Sequence, residues 1–310
     1  MTFNSTLSLV GPLREPRQML GEQEYDGHSS IHDDQIAEDL GFRAGPIEGP
    51  THFSQFGPLM LEVFGKAFFE RGCLSVHYKN MVVEGESVRA FAAQAQPGQT
   101  STSIWAEKAD GMPVLEGSAS LGPDHGETFL ESRLKSLRPA ETPVILSDLD
   151  VGMCGASYER VRMDPDQPMG KLYPFSLNQK LQTITEFSDW YQDAGRSPWG
   201  RAIIPFEMIS VLATHSMREA RVPVKGPAIG LFADQQIRLI DGPLFVGEDY
   251  ILRRKIVALT ESRRTESYWV HTQIYNETGD RLMAEMLLNH ATLKHSYEPY
   301  ERERAALLQD

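Results

Sequence analysis

The chain has 310 residues, a formal net charge of −13 and 41% apolar residues, an ordinary globular composition rather than that of a disordered chain. The acidic balance argues against a bulk electrostatic grip on nucleic acid or an anionic membrane, and leaves a local basic pocket for a phosphorylated ligand open. Cys73 and Cys154 are the only cysteines and show no CxxC or Cys/His spacing, so a disulfide scaffold and a structural zinc site are set aside.

The chain opens with MTFNSTLSLVGPLREPRQ, which lacks a basic start followed by a long apolar run and so does not read as a secretory signal. Further on, Gly, Glu, Lys or His interrupts every apolar stretch well short of the ~20 residues a membrane span needs. A cytoplasmic protein is expected. Gly49-Pro50 then opens THFSQFGPLMLEVFGKAFFERG, which predicts one helix of ~30 Å up to Gly72. Its apolar stripe would be Phe53, Phe56, Met60, Val63, Phe64 and Ala67, with Gly57-Pro58 as a candidate kink. Beyond Gly72 the period changes to two. LSVHYKNMVV, ESVRAFAAQAQ, TSTSIWAEKA and PVLEGSASLG read as antiparallel strands.

Gly, Pro and charge cluster between Gly122 and Asp150, which marks a connection between units. After it the same grammar returns. PFEMISVLATHSMREARV reads as a helix, and GLFADQQIRL, DYILRRKIVAL, SYWVHTQIYNE and RLMAEMLLNHATLKH as strands. Three landmark pairs, Pro50 with Pro205, Gly85 with Gly247 and Gly111 with Gly279, keep their order at offsets of about half the chain. The expectation is an α+β chain of two tandem units, each an antiparallel sheet wrapped around a long central helix. The first unit would be 1–135, the connection 136–150 and the second unit 151–310.

The segment YDGHSSIHDDQIAEDLGFRAGPIEGPTHFSQF, with the strands that follow it, resembles the MaoC-like dehydratase/hydratase family, whose members have a double hotdog fold. The family's signature has an Asp, two residues later an Asn, then Pro, an aliphatic residue and His. Gapless alignment on Ala37 and Gly41-Phe42 places the family's Asp on Asp26, its Asn on His28 and its His on Ile31, with His32 one place further. In the second half FSDWYQDAGRSPWGRAIIPFEM is a degenerate version, with Asp189 at the Asp position and no His before Pro205.

Hydration of an enoyl thioester needs a water deprotonated for the β-carbon, a proton for the α-carbon and donors for the enolate oxygen. The resemblance implies that Asp26 and a histidine share that water, with His32 or His28 as the partner. His32 is favoured, because a one-residue shift is absorbed in a loop whereas in a strand it would reverse the side chain's face. It also implies substrate contacts from Tyr25, Glu48, Gly49, Thr51 and His52. Competing structural readings stand beside these: Asp26-Gly27 as a turn, Glu48 as a helix cap, His52 as a wall or first-turn residue, His77, His271 and His290 as strand histidines. Asp189, Trp190 and Tyr191 could line a second pocket or simply pack. Arg253-Arg254 and Arg263-Arg264 are candidate phosphate contacts or solvated strand ends.

The implied activity is a hydro-lyase acting on an enoyl thioester or similar activated enoyl substrate, carried on coenzyme A or otherwise, without metal or cofactor. A homodimer is within what the resemblance allows. The alternatives are a non-catalytic acyl-ligand binder or a scaffolding subunit of a hetero-oligomeric hydratase, which the displaced His register favours, and a thioesterase.

Overall fold

A computed structural model describes residues 8–21, 23, 30–95, 98–155, 159–217 and 222–309. Asp26, His28 and Tyr25 therefore lie outside the described residues. In chain order the strands are β1 (Ser8–Arg14), β2 (Gly72–Tyr78), β3 (Val88–Ala93), β4 (Ser101–Lys108), β5 (Pro113–Leu121), β6 (Glu159–Arg162), β7 (Gly230–Leu239), β8 (Asp249–Glu261), β9 (Thr265–Tyr275) and β10 (Leu282–Leu293). The helices are α1 (Asp34–Asp39), α2 (Gly57–Phe64), α3 (Phe68–Arg71), α4 (Phe129–Ser136), α5 (Leu177–Leu181), α6 (Phe206–Thr214) and α7 (Tyr300–Leu307).

Among the described residues ten strands form one antiparallel sheet in the order β1-β3-β4-β5-β2-β7-β10-β9-β8-β6. Its two halves come from the two halves of the chain and join where β2 pairs with β7, from Cys73 opposite Arg238 to His77 opposite Asp234. The join pairs two strand edges that would otherwise be open templates for association. The eight strands expected from period-two alternation are β2–β5 and β7–β10. In β3, Val88, Ala90 and Ala92 face the core, while Phe91 on the other face stacks on Trp105 of β4 at 5.2 Å. The outermost strands, β1 and β6, are additions that the alternation did not single out. The 122–150 stretch is not bare connection either. It contains α4, started by a Thr128/Glu131 capping box and tied to the sheet by Thr128 Oγ1 donating to Gln236 Oε1 at 2.6 Å.

The single long helix expected after Pro50 is not formed. Its place is taken by a 3-10 turn over Gly49–Phe56, then α2, a 3-10 turn over Gly65–Ala67, and α3. Pro58 cannot extend the preceding helical hydrogen bonds, and Gly65, at φ 65°, ends α2 in a conformation open to glycine. The buried stripe changes with the break. Phe53, Phe56 and Met60 are fully buried, but Val63, Phe64 and Ala67 are only partly so, and Phe68 and Phe69 take over the core. In the second half α6 is short and buried along its whole length. The two central segments pack on each other under the sheet, with Phe68 stacked on Phe206 at 5.2 Å.

Candidate functional site

A cavity of about 530 Å³ lies where the two halves meet. The first half supplies Leu20, Ile31, Ile47, Val82 and Val114 to its wall, and the second half Leu172, Val222, Val224, Leu231 and Phe232. Into this apolar shell come a few polar side chains: His32, Glu48, His52, Tyr78, Tyr173, Thr214 and His290.

His32 sits in the turn before α1. Asp33 caps that helix by accepting the Ile36 N–H, and Asp34 accepts the Gly45 N–H at 2.8 Å, so the strap on either side of the histidine is pinned. Its Nδ1 lies 2.7 Å from the Pro46 carbonyl. A carbonyl can only accept, so Nδ1 carries the proton and Nε2 keeps its lone pair. Burial lowers the His32 pKa, which favours the neutral imidazole despite the pull of the Pro46 carbonyl. The His32 backbone N–H reaches Ser30 Oγ, Ser30 donates to Gln23, and Gln23 Nε2 donates to the Leu172 carbonyl at 2.8 Å. That chain links the histidine strap to the second half of the protein.

Glu48 precedes the 3-10 turn without capping it, since no side-chain capping hydrogen bond is formed. The carboxyl is buried and lines the cavity. Burial pushes it up to about 7, against the pull of nearby Lys180 and with the added push of Glu207. Gly49 is required beside it, because a Cβ there would meet the Tyr78 ring at 2.8 Å. Tyr78 packs over that glycine and donates to Gln235 Oε1 at 2.9 Å. His52, one turn on, is buried on the cavity wall and pushed down to about 4, chiefly by desolvation.

Thr51 is buried but does not line the cavity. It accepts from Lys180 Nζ at 2.9 Å. Lys180 in turn lies 3.3 Å from Glu207, whose other oxygen accepts from Ser54 at 2.5 Å. This buried cluster joins the 3-10 turn of the first half to α5 and α6 of the second. Sequence reasoning passed over Lys180 and Glu207. The Ser176/Gln179 capping box marks the start of α5, but nothing local shows that Lys180 turns inward, whereas a lone Glu in the apolar run FEMISVLAT was a usable signal. His290, read as a strand histidine with a solvent or cross-strand role, stacks across strands on Tyr268 at 4.7 Å and also lines the cavity. Burial pushes it down to about 3.

Asp189 lies outside the cavity, half-exposed and paired with Arg196 at 2.5 Å. Trp190 packs edge-on against Phe69 at 5.3 Å and Trp199 at 5.5 Å, the packing role rather than a second pocket. Arg254 is buried against Glu159, and Arg253 covers the Tyr275 ring at 4.1 Å. His77 pairs with Asp234 at 2.8 Å and His271 with Glu285 at 3.4 Å.

The raised Glu48 pKa has a consequence for stability. A carboxyl raised from 4.5 to about 7 by folding contributes its full stability below 4.5 and loses it as the pH rises through about 7. The loss amounts to about 3 kcal/mol. Urea unfolding of the wild type should therefore show stability falling over that window, and Glu48→Gln should remove most of the fall. An unchanged pH profile in the variant would mean that another group titrates there.

No family model matches the chain, and no curated protein matches it by sequence. Solved structures do match. A MaoC domain protein, assigned as a dehydratase, from Chloroflexus aurantiacus J-10-fl superposes with a TM-score of 0.61 at 12% identity, over 94% of this chain and 96% of that one. Rv0216, a hypothetical protein of Mycobacterium tuberculosis with a double hotdog fold, superposes with a TM-score of 0.52 at 11% identity, over 91% and 96%. At such identities the likeness establishes the fold: two hotdog units in one chain.

Proposed function

We propose that this double hotdog chain is a hydro-lyase that adds water to, or removes it from, an enoyl thioester carried on coenzyme A. The observation that carries the reading is His32 on the cavity wall, neutral, with Nδ1 occupied by the Pro46 carbonyl and Nε2 left as a base. In the hydration direction Nε2 takes a proton from water as its oxygen bonds to the β-carbon. The C=C π pair moves toward the thioester carbonyl, and Asp26 delivers a proton to the α-carbon as the enolate collapses. The Gly49 backbone N–H, where the 3-10 turn opens, would serve the enolate oxygen, since Pro50 has no N–H and Thr51 donates to the Glu48 carbonyl. Active residues then belong to the first unit, 1–135, and the second unit, 151–310, closes the cavity. The fold match to a protein assigned as a dehydratase supports the same reading.

A second reading, an acyl-ligand binder, draws on Ile31, which stands in the register of the family's His and is buried in the cavity wall. Turnover separates the two. With crotonyl-CoA and longer 2-enoyl-CoA esters, loss of the enoyl absorbance supports the lyase. Binding without turnover supports the binder, and release of free thiol would replace the lyase with a thioesterase. Within the lyase reading, Asp26→Asn should lower the rate by about 10²–10⁴-fold, as for a lost general acid–base. Asp189→Asn, at an exposed ion pair, should leave the rate unchanged. The reverse result would put the chemistry in the second half.

A further inference from the structure

The polar groups of the cavity carry information about the acyl group. Glu48 Oε1 and His52 Nδ1 are buried atoms with no hydrogen-bond partner among the described residues, and both residues line the cavity. Such groups are rare in folded proteins and call for a partner from outside the chain. Water can serve them while the cavity is empty of ligand. A hydrocarbon tail that displaced the water would strand them, which lowers affinity.

Hydrogen bookkeeping gives the direction of the missing bond at Glu48. Thr214 Oγ1 donates its hydrogen to the Ser210 carbonyl at 2.7 Å. The 2.8 Å contact between Tyr173 and Thr214 hydroxyls must then use the hydrogen of Tyr173. Tyr173 also hydrogen-bonds Glu48, and having spent its own hydrogen it accepts one there. The proton on that bond belongs to Glu48, in keeping with a carboxyl pushed up to about 7. The remaining oxygen, Oε1, is then a carbonyl-type acceptor, and its natural complement is a donor. Lys180 and Glu207 already pair with each other behind it, and a ligand carboxylate, which only accepts, gains nothing at this position.

We infer that the cavity is built for an acyl group carrying a hydroxyl, seated on Glu48 Oε1, rather than for a plain hydrocarbon tail. The inference rests on the hydratase reading for the thioester but not on turnover, so its test is a binding measurement. Saturated probes that cannot be hydrated are compared by calorimetry: butyryl-, 4-hydroxybutyryl- and succinyl-CoA, with hexanoyl-, 6-hydroxyhexanoyl- and adipyl-CoA as the longer set.

In at least one set the hydroxylated ester should bind about tenfold or more tightly than its alkyl counterpart, the order expected of one buried hydrogen bond, and the carboxylated ester most weakly. Glu48→Leu should abolish the preference. Glu48→Gln should retain it, because its amide N–H₂ donates to Tyr173 and its carbonyl takes the place of Oε1. The Gln variant also keeps the test valid should the Leu variant fail to fold. Equal or tighter binding of the alkyl esters in both sets, or a preference for the carboxylates, overturns the inference. If crotonyl-CoA is nonetheless hydrated, the hydratase reading survives that result. Failure of every ester to bind removes both.

Discussion

Replacing His32 with alanine is expected to slow hydration of an enoyl-CoA ester by about 10²–10⁴-fold, the range for loss of a general acid–base. The loss should fall on kcat more than on KM, because Nε2 acts on the water rather than on the bulk of the ligand. Fold stability should hardly change, since the turn is pinned independently by the Asp33 cap and the Asp34–Gly45 bond. His28→Ala should reduce the rate only mildly. Steady-state rates on the same ester, read beside a thermal melt, settle the comparison. If His28→Ala is the damaging change and His32→Ala the mild one, the residue in the family's Asn register has become the catalyst and the assignment to His32 falls.

The second large effect is on folding. Lys180 and Glu207 are both almost fully buried and lie 3.3 Å apart. Removing one member of such a pair leaves the other desolvated and unbalanced, which destabilises by about 3–5 kcal/mol. Lys180→Met should therefore shift the urea midpoint sharply downward. The loss should be smaller at acid pH, where Glu207, already raised by burial, takes up a proton and no longer carries a stranded charge. A double variant, Lys180→Met with Glu207→Gln, should recover much of the stability, because no buried charge remains. A single Lys180→Met variant as stable as the wild type would show that the pair contributes nothing to holding the halves together.

The eight inner strands were legible residue by residue. VRAFAA alternates in the sequence and buries Val88, Ala90 and Ala92 in the structure. The central helix of the first half was legible only in part. Its apolar spacing is helical throughout, yet Pro58 and Gly65 divide it, so the stripe that periodicity extends to Val63, Phe64 and Ala67 gives way to Phe68 and Phe69. A hydrophobic period identifies a face but not where a backbone break rotates it. The edge strand β6 escaped notice because ERVR is short and exposed at every second position, a pattern shared with many loops.

The site divides along the same line. His32, Glu48, Gly49 and His52 were within reach because the chemistry-bearing residues cluster within one segment beside a helix-like start, and the structure sets all four on one cavity wall. Lys180, Tyr173, Glu207 and His290 come from more than a hundred residues away, and of these only Glu207, alone in an apolar run, carries a local mark of burial. Only the edge-to-edge pairing of β2 with β7 brings them to that wall or beneath it. By itself the sequence determined the eight inner strands and the residues offered by the first half, both consequences of local period and composition. Tertiary structure alone decided which oxygen of Glu48 has no partner among the described residues, which nitrogen of His32 meets the Pro46 carbonyl and which distant cation and carboxylate lie behind them. Those properties depend on desolvation and hydrogen-bond direction, and neither exists until the two halves close on each other.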